Sequence, residues 1–201
     1  MYKSVSLMLA ALALIAPAAN AVTLAVVPAA PAANVGSTFS VDVVASGVGT
    51  GAPSIGAYDV DLSYDSSLLS FNNLTFGTGL DVRGLGSLPG SDASVPGKVN
   101  VFEVSFDTIP DLNQLQPDTF TLFTLTFNAA AAGTSALQLT LNALSDAAGS
   151  ALAASLQSGS VTVSPVPLPP TVWLLLSGLA GLVVTRTRRP ADRLSIPGWA
   201  A

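Results

Sequence analysis

Through the middle of the chain, apolar and polar residues alternate with a period of two. In STFSVDVVASG, Phe39, Val41 and Val43 fall on one face and Ser40 and Asp42 on the other. In AYDVDLSYD, Tyr58, Val60, Leu62 and Tyr64 alternate with Asp59, Asp61, Ser63 and Asp65. That period belongs to strands buried on one side. LLSFNNLTF, VNVFEVSF, TFTLFTLTF, SALQLTLNAL, GSVTV and VTLAVV read the same way, which gives about eight short strands and predicts an all-β sandwich or barrel. Helix is confined to a turn at Asp65 to Leu69 and a short segment at Pro110 to Leu115. Pro110-Asp111 marks the start of that segment and Pro117 its end. The stretch from Gly77 to Lys98 is rich in Gly, Ser and Pro and reads as one long connection. Its Gly-x-Gly pairs lack the third glycine of a dinucleotide fingerprint and read as turn glycines.

The two ends follow different rules. Residues 1–21 place Lys3 before an apolar run from Leu7 to Ala16 and finish on Ala19-Asn20-Ala21. This is the layout of a secretory signal peptide cut after Ala21, with Ala19 and Ala21 as the small residues of the cleavage site. Near the other end, PVPLPPTVWLLLSGLAGLVVTRTRR packs prolines before an apolar stretch and an arginine cluster. A helix from Pro170 to Arg186 would reach about 25 Å, close to the roughly 30 Å of a bilayer's hydrocarbon core. The expectation is a single short transmembrane helix, with Arg186, Arg188 and Arg189 retained on the cytoplasmic side. The domain plan is therefore a signal peptide at 1–21, a β-domain at 22–164, a membrane-linked segment at 165–189 and a short tail at 190–201.

Composition narrows the chemistry. There is no Cys and no His, so disulfides, thiolate metal sites and the commonest general base are all missing. Residues 22–164 carry ten Asp and one Glu against Arg83 and Lys98, a formal charge of −9. A surface so acidic repels phosphate backbones, and no nucleic-acid partner is expected. Glu103, the one glutamate, alternates with Phe102 and Val104 and reads as an outward strand residue rather than one of a catalytic carboxylate pair. The serines have no histidine to activate them and no Gly-x-Ser-x-Gly elbow. The chain is expected not to be an enzyme and to need no cofactor. Asp59, Asp61 and Asp65 are the only candidates for a hard-cation site. Their stretch lacks the glycine and bidentate glutamate of a calcium loop, and residues two apart on a strand do not wrap an ion. They read as a solvated acidic face, with no metal.

Two resemblances add to this reading. Val166-Pro167-Leu168-Pro169, then Trp173-Leu174, Ser177-Gly178-Leu179, Gly181-Leu182 and the arginine cluster together resemble the PEP-CTERM sorting domain of Gram-negative bacteria, in its Val-Pro-Leu-Pro variant. Leu168 stands where the Pro-Glu-Pro form has Glu, and twelve residues follow Arg189 where the family usually stops. The resemblance implies recognition and cleavage by an exosortase, a membrane-embedded cysteine transpeptidase-like enzyme. It further implies export linked to exopolysaccharide and biofilm. The protein would be anchored in the inner membrane facing the periplasm before processing, and would then reach the cell surface or matrix.

The middle is similar to the cohesin-like domain, a jelly-roll β-sandwich, through VGSTFSVDVVASGV, IGAYDVDLSYDSSLLSF and FTLFTLTFNAAAAGTSALQL. Cohesins bind dockerin modules. The leading expectation is a non-enzymatic surface or matrix protein, and the alternatives are a recognition module for a dockerin-like partner or a carbohydrate-binding module. Sugar platforms usually present exposed aromatics. Here Trp173 and Trp199 lie in the C-terminal region and Tyr58 and Tyr64 fall on the apolar face, which argues against a strong one.

Overall fold

The computed structural model describes residues 22–49, 53–166 and 174–180. Within the described residues 22–164, eleven strands and one helix follow in chain order: β1 (Val22–Val27), β2 (Ala32–Asn34), β3 (Thr38–Ser46), β4 (Ala57–Ser63), β5 (Leu69–Phe76), β6 (Ser87–Asp92), β7 (Lys98–Ser105), α1 (Ile109–Leu115), β8 (Thr119–Ala129), β9 (Gly133–Ser145), β10 (Ala154–Gln157) and β11 (Gly159–Ser164). They form a five-stranded sheet, β10-β1-β3-β8-β5, and a six-stranded sheet, β2-β11-β9-β4-β7-β6. One apolar core joins the inner faces of both sheets. It runs from Val22 and Leu24 through Val41, Val43, Val60, Leu62, Val99 and Val101 to Phe123, Phe127, Leu137 and Val161. The alternation in the sequence is thus an inner and outer face alternation, as a sandwich requires.

Aromatic rings fix the centre of the core. Phe127 stacks on Phe39 at 5.7 Å and meets Tyr64 and Phe71 edge-on. Phe123 stacks on Tyr58 at 5.9 Å. Such pairs add roughly 0.5–1.5 kcal/mol beyond the area they bury.

Helix α1 is short and held from outside. Thr108 caps it, accepting the Asp111 N–H, and Leu112 is its buried residue. Beyond its end, the buried Gln116 side chain accepts the Ile55 N–H at 2.6 Å and donates to the carbonyls of Ile55 and Gly79. One amide thereby ties the loops before β4 and after β5 to the helix.

The connection read from Gly77 to Lys98 as one long loop contains strand β6. Pro89 and Gly90 disguise it, because both residues are poor strand formers. Among the described residues β6 lies at the edge of its sheet, paired only with β7, and an edge is where proline is tolerated.

The C-terminal unit is described in part. Residues 174–180 are helical, and Leu174, Leu175, Leu176 and Leu179 are exposed on them. Among the described residues no helix is long and apolar enough to cross a membrane. The rest of the expected span lies outside the described residues. So do Ala19 and Ala21 of the signal peptide, Pro167, Leu168 and Pro169 of the sorting motif, Arg186, Arg188 and Arg189, and the tail at 190–201. Val166 is described and exposed.

Candidate functional site

The outer face of β9, β4, β7 and β6 carries two adjoining patches of different chemistry. Register places them side by side. Across β4 and β7, Ala57 faces Val104, Asp59 faces Phe102, Asp61 faces Asn100 and Ser63 faces Lys98. Across β6 and β7, Leu88 faces Val104, Gly90 faces Phe102 and Asp92 faces Asn100.

The first patch is polar and internally braced. Asn100 donates its side-chain N–H groups to Asp59 Oδ1 at 2.6 Å and to Asp61 Oδ1 at 2.8 Å. Lys98 Nζ donates to Asp61 Oδ2 at 3.1 Å. Asn142 donates to Asp59 Oδ1 at 3.0 Å. Asn142 reaches Asp59 because β9 carries a bulge opposite Asp59 and Val60, and a bulge re-aims the side chain it displaces.

These aspartates are not the freely solvated face expected from the sequence. Asp61 is only 9% exposed. Burial would raise its pKa, but the hydrogen bonds from Asn100 and Lys98 outweigh that and hold the carboxyl below the ordinary aspartate range. Asp65 stands apart at the strand's end, where its Oδ1 accepts the Ser67 N–H and hydroxyl. Among the described residues no three acidic side chains converge as a metal site would need.

The second patch is apolar and open. Phe102 is 37%, Val104 41% and Leu88 55% exposed. The Phe102 ring lies over Gly90, so closely that any Cβ there would strike it. Phe106 and Ile109, further along the chain, are exposed as well. Exposed apolar side chains in a contiguous group, rather than scattered singly, mark an interaction surface.

Glu103 overturns its sequence reading. It is 2% exposed and points into the sandwich, in phase with Val99 and Val101. VNVFEVSF is apolar on both faces, so identity alone did not choose the inner one. The choice is set by the two valines, which sit opposite Leu62 and Val60 on the core side of β4. Inside, Glu103 Oε1 accepts the Ser87 hydroxyl at 2.6 Å and Oε2 accepts the Tyr58 hydroxyl at 3.0 Å. Tyr58 also lies 3.4 Å from the Leu122 carbonyl. Burial raises the Glu103 carboxyl above its ordinary value, against the two hydrogen bonds that lower it, and the Asp81 charge adds to the rise. Burial, then the Glu103 charge, raises the Tyr58 phenol far above its usual range, so it stays protonated.

Sequence reasoning placed Asp59 and Asp61 together correctly but did not single out Asn100, Asn142, Phe102, Val104 or Leu88. The phase of β7, counted from Val99, was the signal that would have exposed Phe102 and Val104. Leu88 had none, since its strand was hidden.

Residues 24–163 match the Cohesin domain family model. Among solved structures, the cohesin CaCohA2 from Clostridium acetobutylicum, in its complex with CaDoc0917, is 26% identical with a TM-score of 0.56, covering 71% of this chain and 99% of that one. The cohesin of the Coh-OlpA-Doc918 type I cohesin–dockerin complex from Clostridium thermocellum is 17% identical with a TM-score of 0.58, covering 72% and 99%. A non-cellulosomal cohesin from the hyperthermophilic archaeon Archaeoglobus fulgidus is 17% identical with a TM-score of 0.54, covering 71% and 91%. Comparison with curated proteins gives no match.

Proposed function

This chain belongs to the cohesin family, and from that premise we propose that it is a non-catalytic protein-recognition module whose partner is a dockerin-like domain. The observation that carries the reading is the joint face of β4, β6 and β7, where exposed Leu88, Phe102 and Val104 adjoin the braced pair Asp59 and Asp61. An apolar centre beside polar groups already fixed in position is the usual anatomy of a protein interface. Because Asn100 and Lys98 hold the carboxylates in place, little ordering entropy is lost when a partner meets them. Support also comes from the relatives crystallised as cohesin–dockerin complexes.

The test is calorimetric titration of residues 22–164 with purified dockerin modules. Val104→Asp and Leu88→Asp change exposed side chains and are expected to leave the melting temperature nearly unchanged. Each is expected to weaken binding at least tenfold, since a charge on the apolar centre must be desolvated. Binding unaffected by both would move the site elsewhere.

The sequence of the C-terminal segment supports a companion proposal about delivery. Val166-Pro167-Leu168-Pro169, the apolar stretch and Arg186, Arg188 and Arg189 form a signal read by an exosortase-type enzyme. The domain is exported, held at the inner membrane facing the periplasm, then cleaved and passed to the surface or an exopolysaccharide matrix. Changing Pro167 and Pro169 together to Ala is expected to leave uncut precursor in the inner membrane. Normal processing of that variant would reduce the segment to a plain anchor.

A further inference from the structure

The docking face has a weak side, and a single buried carboxylate lies beneath it. Among the described residues β6 is an edge strand, hydrogen-bonded to β7 alone. Pro89, opposite Glu103, brings no N–H to the ladder. Gly86 before the strand and Gly97 after it both have positive φ, +92° and +83°, so β6 hangs between two glycine-built turns. Ser87 opens the strand, and its hydroxyl ends on Glu103 Oε1.

Among the described residues no cation faces the buried Glu103. Tyr58 faces it from β4, Ser87 from β6 and Asp81 from the loop before β6. Asp107 belongs to the same region, where its Oδ2 accepts the Val82 and Arg83 N–H groups. The domain's two basic side chains are engaged elsewhere, Arg83 with Asp111 and Lys98 with Asp61. Every titratable neighbour named is therefore neutral or negative.

Protonation suits this pocket. A protonated Glu103 can donate to the Tyr58 oxygen while Tyr58 turns its own hydrogen to the Leu122 carbonyl, and the Ser87 hydroxyl keeps its acceptor. Glu103, Tyr58 and Ser87 are then all paired and Glu103 buries no charge. When Glu103 is ionised, two hydrogen bonds must offset the desolvation of a whole charge, and parting β6, whose Ser87 is bonded to it, from β7 would admit water to it.

We propose that β6 is a pH-gated edge of the docking face: ionisation of Glu103 favours its release from β7, which removes Leu88 from the face, and protonation closes it again. The gate stands on the geometry of Glu103 and β6, and only its consequence for binding rests on the docking reading above. The sign follows from linkage. The closed state holds the Glu103 proton more tightly than the open state, so opening is flat below the ordinary glutamate value of 4.5. It then rises by about tenfold per pH unit up to the raised value of the closed state, and levels off above that.

Hydrogen exchange of the β6 and β7 amides in residues 22–164, measured from pH 4 to pH 8, reads the gate directly. Glu103→Gln keeps an acceptor for Ser87 and a donor for Tyr58 but cannot ionise. The ratio of wild-type to Glu103→Gln exchange cancels the intrinsic pH dependence and is expected to climb with pH in β6 while staying flat in β3. Asp81→Asn keeps an acceptor for the Gly86 N–H and removes the like charge. It is expected to end the climb at a lower pH, and it decides the question if Glu103→Gln fails to fold. A flat β6 ratio, or an unmoved climb in Asp81→Asn where Glu103→Gln is unfolded, overturns the gate. Dockerin titrations across the same range separate the two proposals. Binding that tightens toward acid in the wild type but not in Glu103→Gln supports both, whereas a climbing exchange ratio with no binding at any pH retires the docking reading and leaves the gate standing.

Discussion

The chemistry of this domain turns on which carboxylates are braced and which are merely buried. Asp59 and Asp61 have Asn100 between them, and Asp61 has Lys98 as well. Lys98 is well exposed, so its ion pair adds little. The Asn100 bonds are better shielded. Asp61→Ala is accordingly expected to cost about 1–2 kcal/mol, chiefly by leaving Asn100 short of an acceptor, as read by urea denaturation at pH 7. Because the folded-state pKa of Asp61 is lowered, its contribution is present above the ordinary aspartate value and fades as pH falls through the lowered one. The cost of Asp61→Ala should therefore shrink in acid. Glu103 has the opposite sign. Its folded value is raised, so its protonated form stabilises the fold at low pH and that contribution is lost as pH rises. Glu103→Gln should therefore be no less stable than wild type at pH 8, and a large loss there would contradict the picture of an uncompensated buried charge. Of these residues, the sequence pattern revealed the Asp59 and Asp61 pairing and misplaced Glu103. A strand with Val on one side and Phe and Val on the other does not declare its inner face without its partner strands.

At the scale of elements, legibility followed the strength of the alternation. β3, β4, β8 and β9 keep a two-residue period over seven or more positions, and all were read from it. The short edge pieces β2 and β10 have three and four residues, too few for a period to show. β6 was missed for a different reason, since Pro89 and Gly90 are loop residues by propensity and are tolerated only because the strand is an edge. Gly90 has a further role that propensity cannot state. The far end of the Phe102 ring occupies the space where a side chain would be, which seats the ring against the strand. Gly90→Ala would push the ring aside. The atoms struck are the far end of a flexible, partly exposed side chain, so the stability cost is expected to stay below about 1 kcal/mol. Dockerin binding should fall much further, because the apolar centre loses its shape. A variant that unfolds, or one that binds normally, would show that the ring is not held for recognition.

For the molecule as a whole, the core decides what can stand alone. Among the described residues, every member of the buried cluster lies between Val22 and Val163. A domain of this size buries about two thirds of its unfolded surface, enough for independent stability. Residues 22–164 should therefore fold without the ends, with a strand-dominated far-ultraviolet spectrum and one cooperative unfolding transition. Cutting away the ends also removes Arg186, Arg188 and Arg189 and leaves eleven acids against two bases. Two of those acids are paired, Asp61 with Lys98 and Asp111 with Arg83, and the remaining nine repel one another. At about 0.01 M salt the Debye length is roughly 30 Å, so that repulsion acts across the whole domain, whereas at about 1 M it is roughly 3 Å and acts almost nowhere. Salt also weakens the two ion pairs, but both have exposed basic partners and contribute little to begin with. Repulsion is the larger quantity, so the melting temperature of residues 22–164 is expected to rise by a few degrees between those limits in sodium chloride. The same scan with Asp61→Ala, which removes one acid and frees Lys98, should rise less steeply. A melting temperature that falls with salt would mean that the fold depends on its two ion pairs more than their exposure allows.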